Sequence, residues 1–142
     1  MVKLPNPLRS HCPINVGLEL FGDAWTLLVL RDLLIHGKST FREFRASEEG
    51  IASNILADRL QRLEAAGLVT RKGDPEDRRR MRYAPTAPAR ALLPVLVELA
   101  YWGARHDSDS AAPPDFVAAY EADREGLLRA MAAGFNPAGT PP

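Results

Sequence analysis

The sequence predicts a mainly α-helical fold that contains one small two-stranded β-hairpin. Two observations carry this prediction. Apolar residues recur at helical spacing along most of the chain, and one short stretch, residues 68–85, has β-forming residues on both sides of an Asp-Pro turn. The length of 142 residues, with 46% apolar and 25% charged residues, fits one globular domain of ordinary size.

Four helices are expected before the hairpin. The first spans residues 13–21, and the second follows the possible cap Asp23 and ends before Gly37. Ser39 or Thr40 can cap a short third helix over residues 41–46. A fourth helix spans about residues 52–66, with an apolar stripe on one side and polar side chains on the other.

The rest of the chain is divided by its composition. We expect a flexible arm over residues 1–10, a main domain over 11–106, a linker over 107–114, an amphipathic helix over 115–135 and a disordered tail over 136–142. Within the main domain, strands at 68–72 and 80–85 form the hairpin, and a long helix covers 87–106.

Charge is unevenly distributed although the formal net charge is zero. Residues 37–82 hold eleven Lys or Arg against eight Asp or Glu, whereas residues 94–142 hold three against seven. Six of the basic residues lie between Arg71 and Arg82, around the predicted turn. Such a local basic excess suits a surface that faces an anion, although an Arg-rich turn is more often only a solvated surface.

Three helices followed by a hairpin is the element order of a winged helix-turn-helix. In that fold one helix enters the major groove of DNA while the hairpin, or wing, reaches the adjacent backbone or minor groove. The polar face of helix 52–66 and the Arg-rich wing at 73–82 match these two roles. The sequence therefore predicts a protein that binds double-stranded DNA.

The motifs resemble those of the HxlR family of bacterial transcription regulators. The resemblance covers about residues 11–106 and includes Cys12-Pro13, the pair Arg31-Asp32 and the segment LADRLQRLEAAGLV. The wing sequence DPEDRRR is closer to that of the related MarR family. The resemblance implies a homodimeric regulator of a pseudo-palindromic operator, with N- and C-terminal helices forming the dimer interface.

The candidate DNA-binding residues fall into three groups. Ser53, Asn54 and Asp58 lie where base-edge contacts are expected, with Gln61 and Arg62 further along the helix. Arg59, Ser39 and Thr40 have two possible roles each, because Arg59 can reach a phosphate or pair with an acid, and the hydroxyls can bind phosphate or cap a helix. The wing contributes four arginines: Arg78, Arg79, Arg80 and Arg82.

Two kinds of signal are considered for such a regulator. The resemblance makes Cys12 a candidate redox or electrophile sensor, with an inert thiol as the alternative. A small-molecule effector could contact Trp25, Tyr101 or Trp102, although aromatic side chains on apolar helix faces are mostly core residues.

Other classes of function lack support in the sequence. No nucleophile–base arrangement or Gly-rich phosphate loop is found, and His11, His36 and His106 lack metal-ligand spacing, so we expect no enzyme, metal or cofactor. No apolar run approaches the roughly 18 residues of a membrane span, and a cytoplasmic location is expected. The rival interpretations are a winged-helix protein-interaction module and a small-molecule-binding protein with incidental DNA affinity.

Overall fold

The computed structural model describes residues 2–134 and confirms a mainly helical fold with one antiparallel hairpin. The elements are α1 (Pro13–Phe21), α2 (Thr26–Leu34), α3 (Phe41–Arg45), α4 (Ser53–Ala65), β1 (Val69–Gly73), β2 (Met81–Pro85), α5 (Ala87–Arg90), α6 (Leu93–His106), α7 (Phe116–Ala122) and α8 (Arg124–Ala133). The tail predicted over 136–142 and the last position of the predicted helix 115–135 lie outside the described residues.

The chain divides into two compact units, one up to Ala89 and one from Arg90. The core of the first unit is built from α2, α3, α4 and β1. Its fully buried side chains include Leu30, Leu33, Phe44, Leu56 and Leu60. Burial of each such side chain stabilises the fold by roughly 1.5–3 kcal/mol, so the apolar stripe of α4 determines which face of that helix remains outside.

Local interactions fix the start of α3 and the end of α4. Thr40 and Glu43 form a capping box at the start of α3, in which the Thr40 hydroxyl accepts from the Glu43 amide and the Glu43 carboxylate accepts from the Thr40 amide. After α4, Gly67 adopts φ +81°, which a residue with a side chain rarely adopts. The Leu68 amide then donates to the Leu63 carbonyl at 2.9 Å and closes the helix end.

The segment that precedes α3 is hydrogen-bonded to the hairpin. β1 and β2 pair in a register that sets Val69 opposite Pro85 and Gly73 opposite Met81. Thr40 forms an isolated antiparallel bridge with Arg82, and the Tyr83 amide donates to the Ser39 carbonyl at 2.7 Å. The base of the wing is therefore held against the start of α3.

The second unit differs from the sequence prediction in two places. The predicted helix 87–106 is interrupted between α5 and α6, where Pro94 occupies the first turn of α6 and has no amide to donate. The predicted single helix 115–135 is interrupted at Asp123, whose backbone is extended. The Asp123 carboxylate accepts from the Gly126 amide at 2.9 Å and so caps a separate helix, α8.

Contacts within the second unit join α7 and α8 to α6. The rings of Tyr101 and Tyr120 stack with their centroids 3.8 Å apart. Beside them, Arg105 pairs with Glu121 at 2.9 Å, and Glu98 accepts from Arg124 at 2.6 Å.

In the described part of the chain, no single helix has the length and apolar character needed to cross a bilayer. Only α1 and α2 taken together reach that length and composition, with an 83° bend between them.

Candidate DNA-binding surface

The outer face of α4 presents the polar side chains that the sequence predicts to read bases. Ser53, Asn54 and Gln61 are exposed, and the side chain of Arg62 is 68% exposed. The opposite face of the helix is buried through its leucines. The structure therefore places these four residues together on the solvent side of one rigid helix, where amide, hydroxyl and guanidinium groups can meet base edges.

Asp58 and Arg59 lie at the same level of α4 but make ion pairs within the protein. The Arg59 guanidinium lies 3.1 Å from Asp23 and 2.5 Å from Asp58, and its side chain is only 18% exposed. Asp58 also accepts the Nε of Arg62 at 3.0 Å. Of the two roles open to Arg59, the structure shows pairing with acids. In this arrangement Asp58 is paired with two arginines, although 44% of its side chain remains exposed.

Asp23 anchors this ion-pair chain to the segment before α2. Burial acts to raise the pKa of Asp23, but hydrogen bonds outweigh it and lower the pKa well below the ordinary value. These bonds come from the Thr26 hydroxyl at 2.5 Å, the amides of Trp25 and Thr26, and Arg59. Asp23 therefore stays ionised, and α4 is tied at its middle to the start of α2. The sequence predicts only its capping role, because its pairing with Arg59 spans 36 positions.

The wing contains one arginine that is held by the protein. Asp74 is buried, and the Glu76 amide and then the Arg82 guanidinium lower the pKa of its carboxyl. Arg82 donates to Asp74 at 2.9 Å and to the Ser39 hydroxyl at 2.8 Å. Two predicted phosphate ligands, Arg82 and Ser39, thus bind each other.

The other wing arginines project from the tip. Arg78, Arg79 and Arg80 are exposed, and the Arg79 side chain, 94% exposed, lies 3.5 Å from Asp77. These three are therefore the cations of the wing that can move onto a phosphate without breaking a buried ion pair. Thr40, by contrast, is buried and its hydroxyl is used within the capping box.

Comparisons with known proteins identify the family. Residues 20–111 match the family described as HxlR-like helix-turn-helix. The chain belongs to the HxlR family.

Its relatives in this family are transcriptional regulators. The uncharacterized HTH-type transcriptional regulator YvaP of Bacillus subtilis is 32% identical over 92 residues, which cover 64% of this chain and 84% of YvaP. An uncharacterized HTH-type regulator of Halalkalibacterium halodurans, BH0655, is also 32% identical, over 97 residues that cover 68% of this chain and 86% of the relative.

Solved structures agree with the fold. The protein PA1607 superposes with a TM-score of 0.66 at 33% identity, covering 74% of this chain and 73% of its own. The redox regulator HypR in its oxidized form superposes with a TM-score of 0.61 at 28% identity, covering 68% of this chain and 99% of its own. The winged helix-turn-helix prediction is confirmed, and the protein is a DNA-binding transcriptional regulator of this family.

The candidate sensor of this HxlR-family chain lies at the start of α1. Cys12 is a free, exposed thiol at the N-cap position. The backbone amides of Asn15 and then Ile14 lower the pKa of the thiol, which increases the thiolate fraction at neutral pH. The nearby cation Arg9 is directed elsewhere, because its guanidinium pairs with Glu19.

A cavity of about 450 Å³ lies in the first unit, and Trp25, which the sequence suggests for a ligand, is not among its lining residues. Its wall combines the arm, α1, the start of α2 and the last turns of α4, including Leu4, Leu20 and Leu63. The Lys3 amide donates to the Ala66 carbonyl at 2.9 Å and holds the arm at its edge. Of the aromatic candidates, Tyr101 stacks on Tyr120, and Trp102 is 66% exposed.

Proposed function

We propose that the protein is a homodimeric, sequence-specific regulator that acts in the cytoplasm on a pseudo-palindromic operator. In this proposal α4 enters the major groove, and the tip of the wing contacts the backbone or the minor groove. The observation that carries it is the exposed polar face of α4 beside three exposed arginines on a short hairpin.

The proposed contacts divide between bases and phosphates. Ser53, Asn54, Gln61 and Arg62 are proposed to face base edges. Arg78, Arg79 and Arg80 are proposed to neutralise phosphates. Asp58, Arg59, Ser39, Thr40 and Arg82 are assigned to orienting these groups, because their side chains are engaged in ion pairs or hydrogen bonds within the protein.

Exposed apolar stripes on two helices support the dimer. In the first unit, Ile14 and Leu18 on α1 are 74% and 50% exposed. In the second unit, Val95, Leu99 and Trp102 follow one face of α6 at helical spacing and are all exposed. Apolar side chains grouped in this way are characteristic of protein interfaces, and a symmetric dimer would cover the same stripes on both copies.

The experiment that tests the function is fluorescence anisotropy with DNA from upstream of the protein's own and neighbouring genes. Scrambled DNA of equal length is the control, and each titration is repeated at several salt concentrations. We expect selective binding that weakens steeply with salt, with two protomers per site and half-sites about one helical turn apart. Equal, weak binding to both DNAs would instead favour a protein-interaction module.

Cys12 is proposed to be a redox input. HypR, a structural neighbour, is a redox regulator, and the thiol of this chain is exposed with a lowered pKa. Because the chain has one cysteine, its disulfide must form with Cys12 of a second copy or with a small thiol. Two thiols lose two protons and two electrons to an oxidant such as diamide.

Diamide should change the DNA affinity of the wild type and leave that of Cys12→Ser unaffected. Equal affinity before and after oxidation would remove the proposal.

The cavity is proposed as the place of a small-molecule input. Its apolar wall includes Leu63, Ala65 and Ala66 of the α4 end, so a bound ligand would touch the DNA-reading helix itself. Replacing Leu20 by Trp would fill part of the cavity. Compounds that raise the Tm of the wild type should then fail to raise that of the Leu20→Trp variant, and an equal rise in both would place the ligand elsewhere.

A further inference from the structure

A buried carboxylate lies in the apolar helix α2, outside every predicted site. Asp32 is 2% exposed and is flanked in sequence by the core leucines of that helix. An unpaired charge at such a position would be strongly unfavourable, so its partners explain its presence. One of these partners, Ser47, comes from the turn that precedes α4.

Both oxygens of Asp32 are engaged. Oδ1 accepts from Arg31 Nε at 3.0 Å and Nη2 at 2.9 Å, and His36 Nδ1 lies 3.8 Å away. Oδ2 accepts from the Ser47 hydroxyl and lies 3.4 Å from Lys38 Nζ. Lys38 also donates to the Ser47 oxygen at 2.7 Å. Ser47 therefore binds a preformed charged cluster at the end of α2.

A second link runs parallel to the first. The Arg31 guanidinium donates to both oxygens of Glu49, at 2.6 Å and 2.9 Å, while it also binds Asp32. This bidentate pair is the stronger kind of ion pair, since two parallel hydrogen bonds fix direction as well as distance. It lowers the pKa of the Glu49 carboxyl to about 2.

Ser47 and Glu49 both belong to the turn between α3 and α4, which has few other anchors. Ile51 is its only buried side chain, and Gly50 adopts φ +72°, a left-handed conformation that favours glycine. The N-cap of α4, Ala52, has no side chain that can cap the helix. The start of α4 is thus positioned by what precedes it rather than by its own cap.

We propose that Arg31, Asp32, Ser47 and Glu49 form a clamp that positions the first turn of α4 for sequence recognition. The proposal rests on the proposed function, because it assigns Ser53 and Asn54, which directly follow the turn, to base contacts. Such contacts need groups held within about 0.5 Å of their productive place, and a turn anchored at two points satisfies this requirement. None of the four clamp residues needs to touch DNA, so they are positioning residues.

The chain offers a matched pair of variants. Glu48 and Glu49 are adjacent, and both are exposed on the turn. Glu49 binds Arg31, whereas no hydrogen bond or ion pair of Glu48 is observed among residues 2–134. Glu48→Gln and Glu49→Gln therefore remove the same charge from the same surface. The loss of one negative charge should raise the affinity for any DNA equally in both variants. Only Glu49→Gln also opens the clamp.

The experiment compares the Kd of each variant for an operator fragment, selected with the wild type, and for scrambled DNA. Selectivity is the Kd for scrambled DNA divided by the Kd for the operator. We expect this ratio to fall about tenfold in Glu49→Gln, the loss expected for one misplaced base contact, and to stay at the wild-type value in Glu48→Gln. Glu49→Asp, which keeps the charge on a shorter chain, should recover part of the ratio. Equal ratios in Glu48→Gln and Glu49→Gln would overturn the proposal.

A second measurement separates the clamp from the proposed function. Hydrogen exchange of the peptide covering residues 46–54 should be faster in Glu49→Gln and in Ser47→Ala than in the wild type and Glu48→Gln. Wild-type protein that binds no DNA selectively would contradict the proposed function, and the clamp would still be judged by this exchange. Unchanged exchange in both clamp variants would overturn the clamp itself.

Discussion

In the proposed function, the reading helix and the wing tip present cations to DNA in opposite ways. On α4, Arg59 is paired with two aspartates, and Arg62 is paired with Asp58. At the wing tip, Arg78 and Arg80 are exposed, and Arg79 has only a long contact with Asp77. If the proposed function holds, the paired helix side chains are oriented before DNA binds, whereas the exposed tip side chains adapt on binding.

This difference teaches how selectivity and affinity are divided along the surface. Base recognition depends on direction, so preformed ion pairs and a buried helix face favour it. Phosphate attraction depends mainly on charge and tolerates mobile side chains. We therefore expect changes in α4 to alter selectivity or stability, and changes at the tip to weaken binding to all DNA alike.

The largest effect should come from the buried face of α4. Leu56 is fully buried, so Leu56→Ala should lower the free energy of unfolding by about 2–5 kcal/mol through lost burial and a residual cavity. Urea denaturation followed by circular dichroism measures this. Arg78→Ala at the tip is the control and should stay within about 0.5 kcal/mol of the wild type. A similar loss of stability in both variants would contradict the proposed difference between α4 and the wing tip.

The exposed face of α4 should carry the next largest effect. Asn54→Ala should remove about 1–3 kcal/mol of discrimination between the operator and scrambled DNA, because an Asn side chain can bind an adenine edge through two hydrogen bonds. Anisotropy titrations on both DNAs give this difference, with the scrambled duplex as the internal control. If the affinity falls equally on both DNAs, Asn54 is not a base contact.

A smaller, sequence-independent effect is expected at the wing tip. Arg79→Ala should weaken binding to every DNA equally and reduce the slope of log Kd against log salt by about 1. Arg82→Ala sharpens the comparison, because it also leaves the buried Asp74 without its guanidinium partner and should lower thermal stability. A selective loss in Arg79→Ala would mean that the tip reads sequence.

The smallest effect concerns the acid range. The Arg31 guanidinium lowers the pKa of Glu49 to about 2 from an ordinary value near 4.5. The resulting stabilisation is fully present above about pH 4.5 and is lost as the pH falls through the folded value. Because the Glu49 side chain is 38% exposed, solvent screening should keep this contribution below about 1 kcal/mol.

Denaturation of the wild type and Glu49→Gln at a series of pH values checks this prediction. The two proteins should differ in stability near neutral pH and converge toward pH 2. A difference that does not change with pH would show that the ion pair is not its source.

Much of the fold could be predicted from local signals. The helix over residues 13–21 is confirmed with the same bounds, and the reading helix differs by one residue at each end. Helix periodicity, glycine stops and the Asp-Pro turn are local patterns, which is why they could be read directly. The breaks before α6 and at Asp123 were missed, since helical periodicity continues through both.

The candidate site was only partly predictable for a different reason. The exposed polar face of α4 follows from its period, but Asp23, one partner of Arg59, lies 36 positions away, and Asp74, the acid that binds Arg82, lies 8 positions away. Asp32 gave one signal, a charge inside an apolar helix, without indicating what it binds. Ion pairs between distant residues leave no periodic trace in a sequence.

What the sequence by itself determined was the order of helices and hairpin, the solvent-facing side of α4 and the concentration of arginine at the wing, because spacing and composition set these. The tertiary structure alone decided which arginines are available to DNA. Asp23 and Asp58 engage Arg59, and Asp74 engages Arg82, while Arg78, Arg79 and Arg80 remain on the surface. The reason is that a charge is withheld only where folding brings an opposite charge against it and shields the pair from solvent.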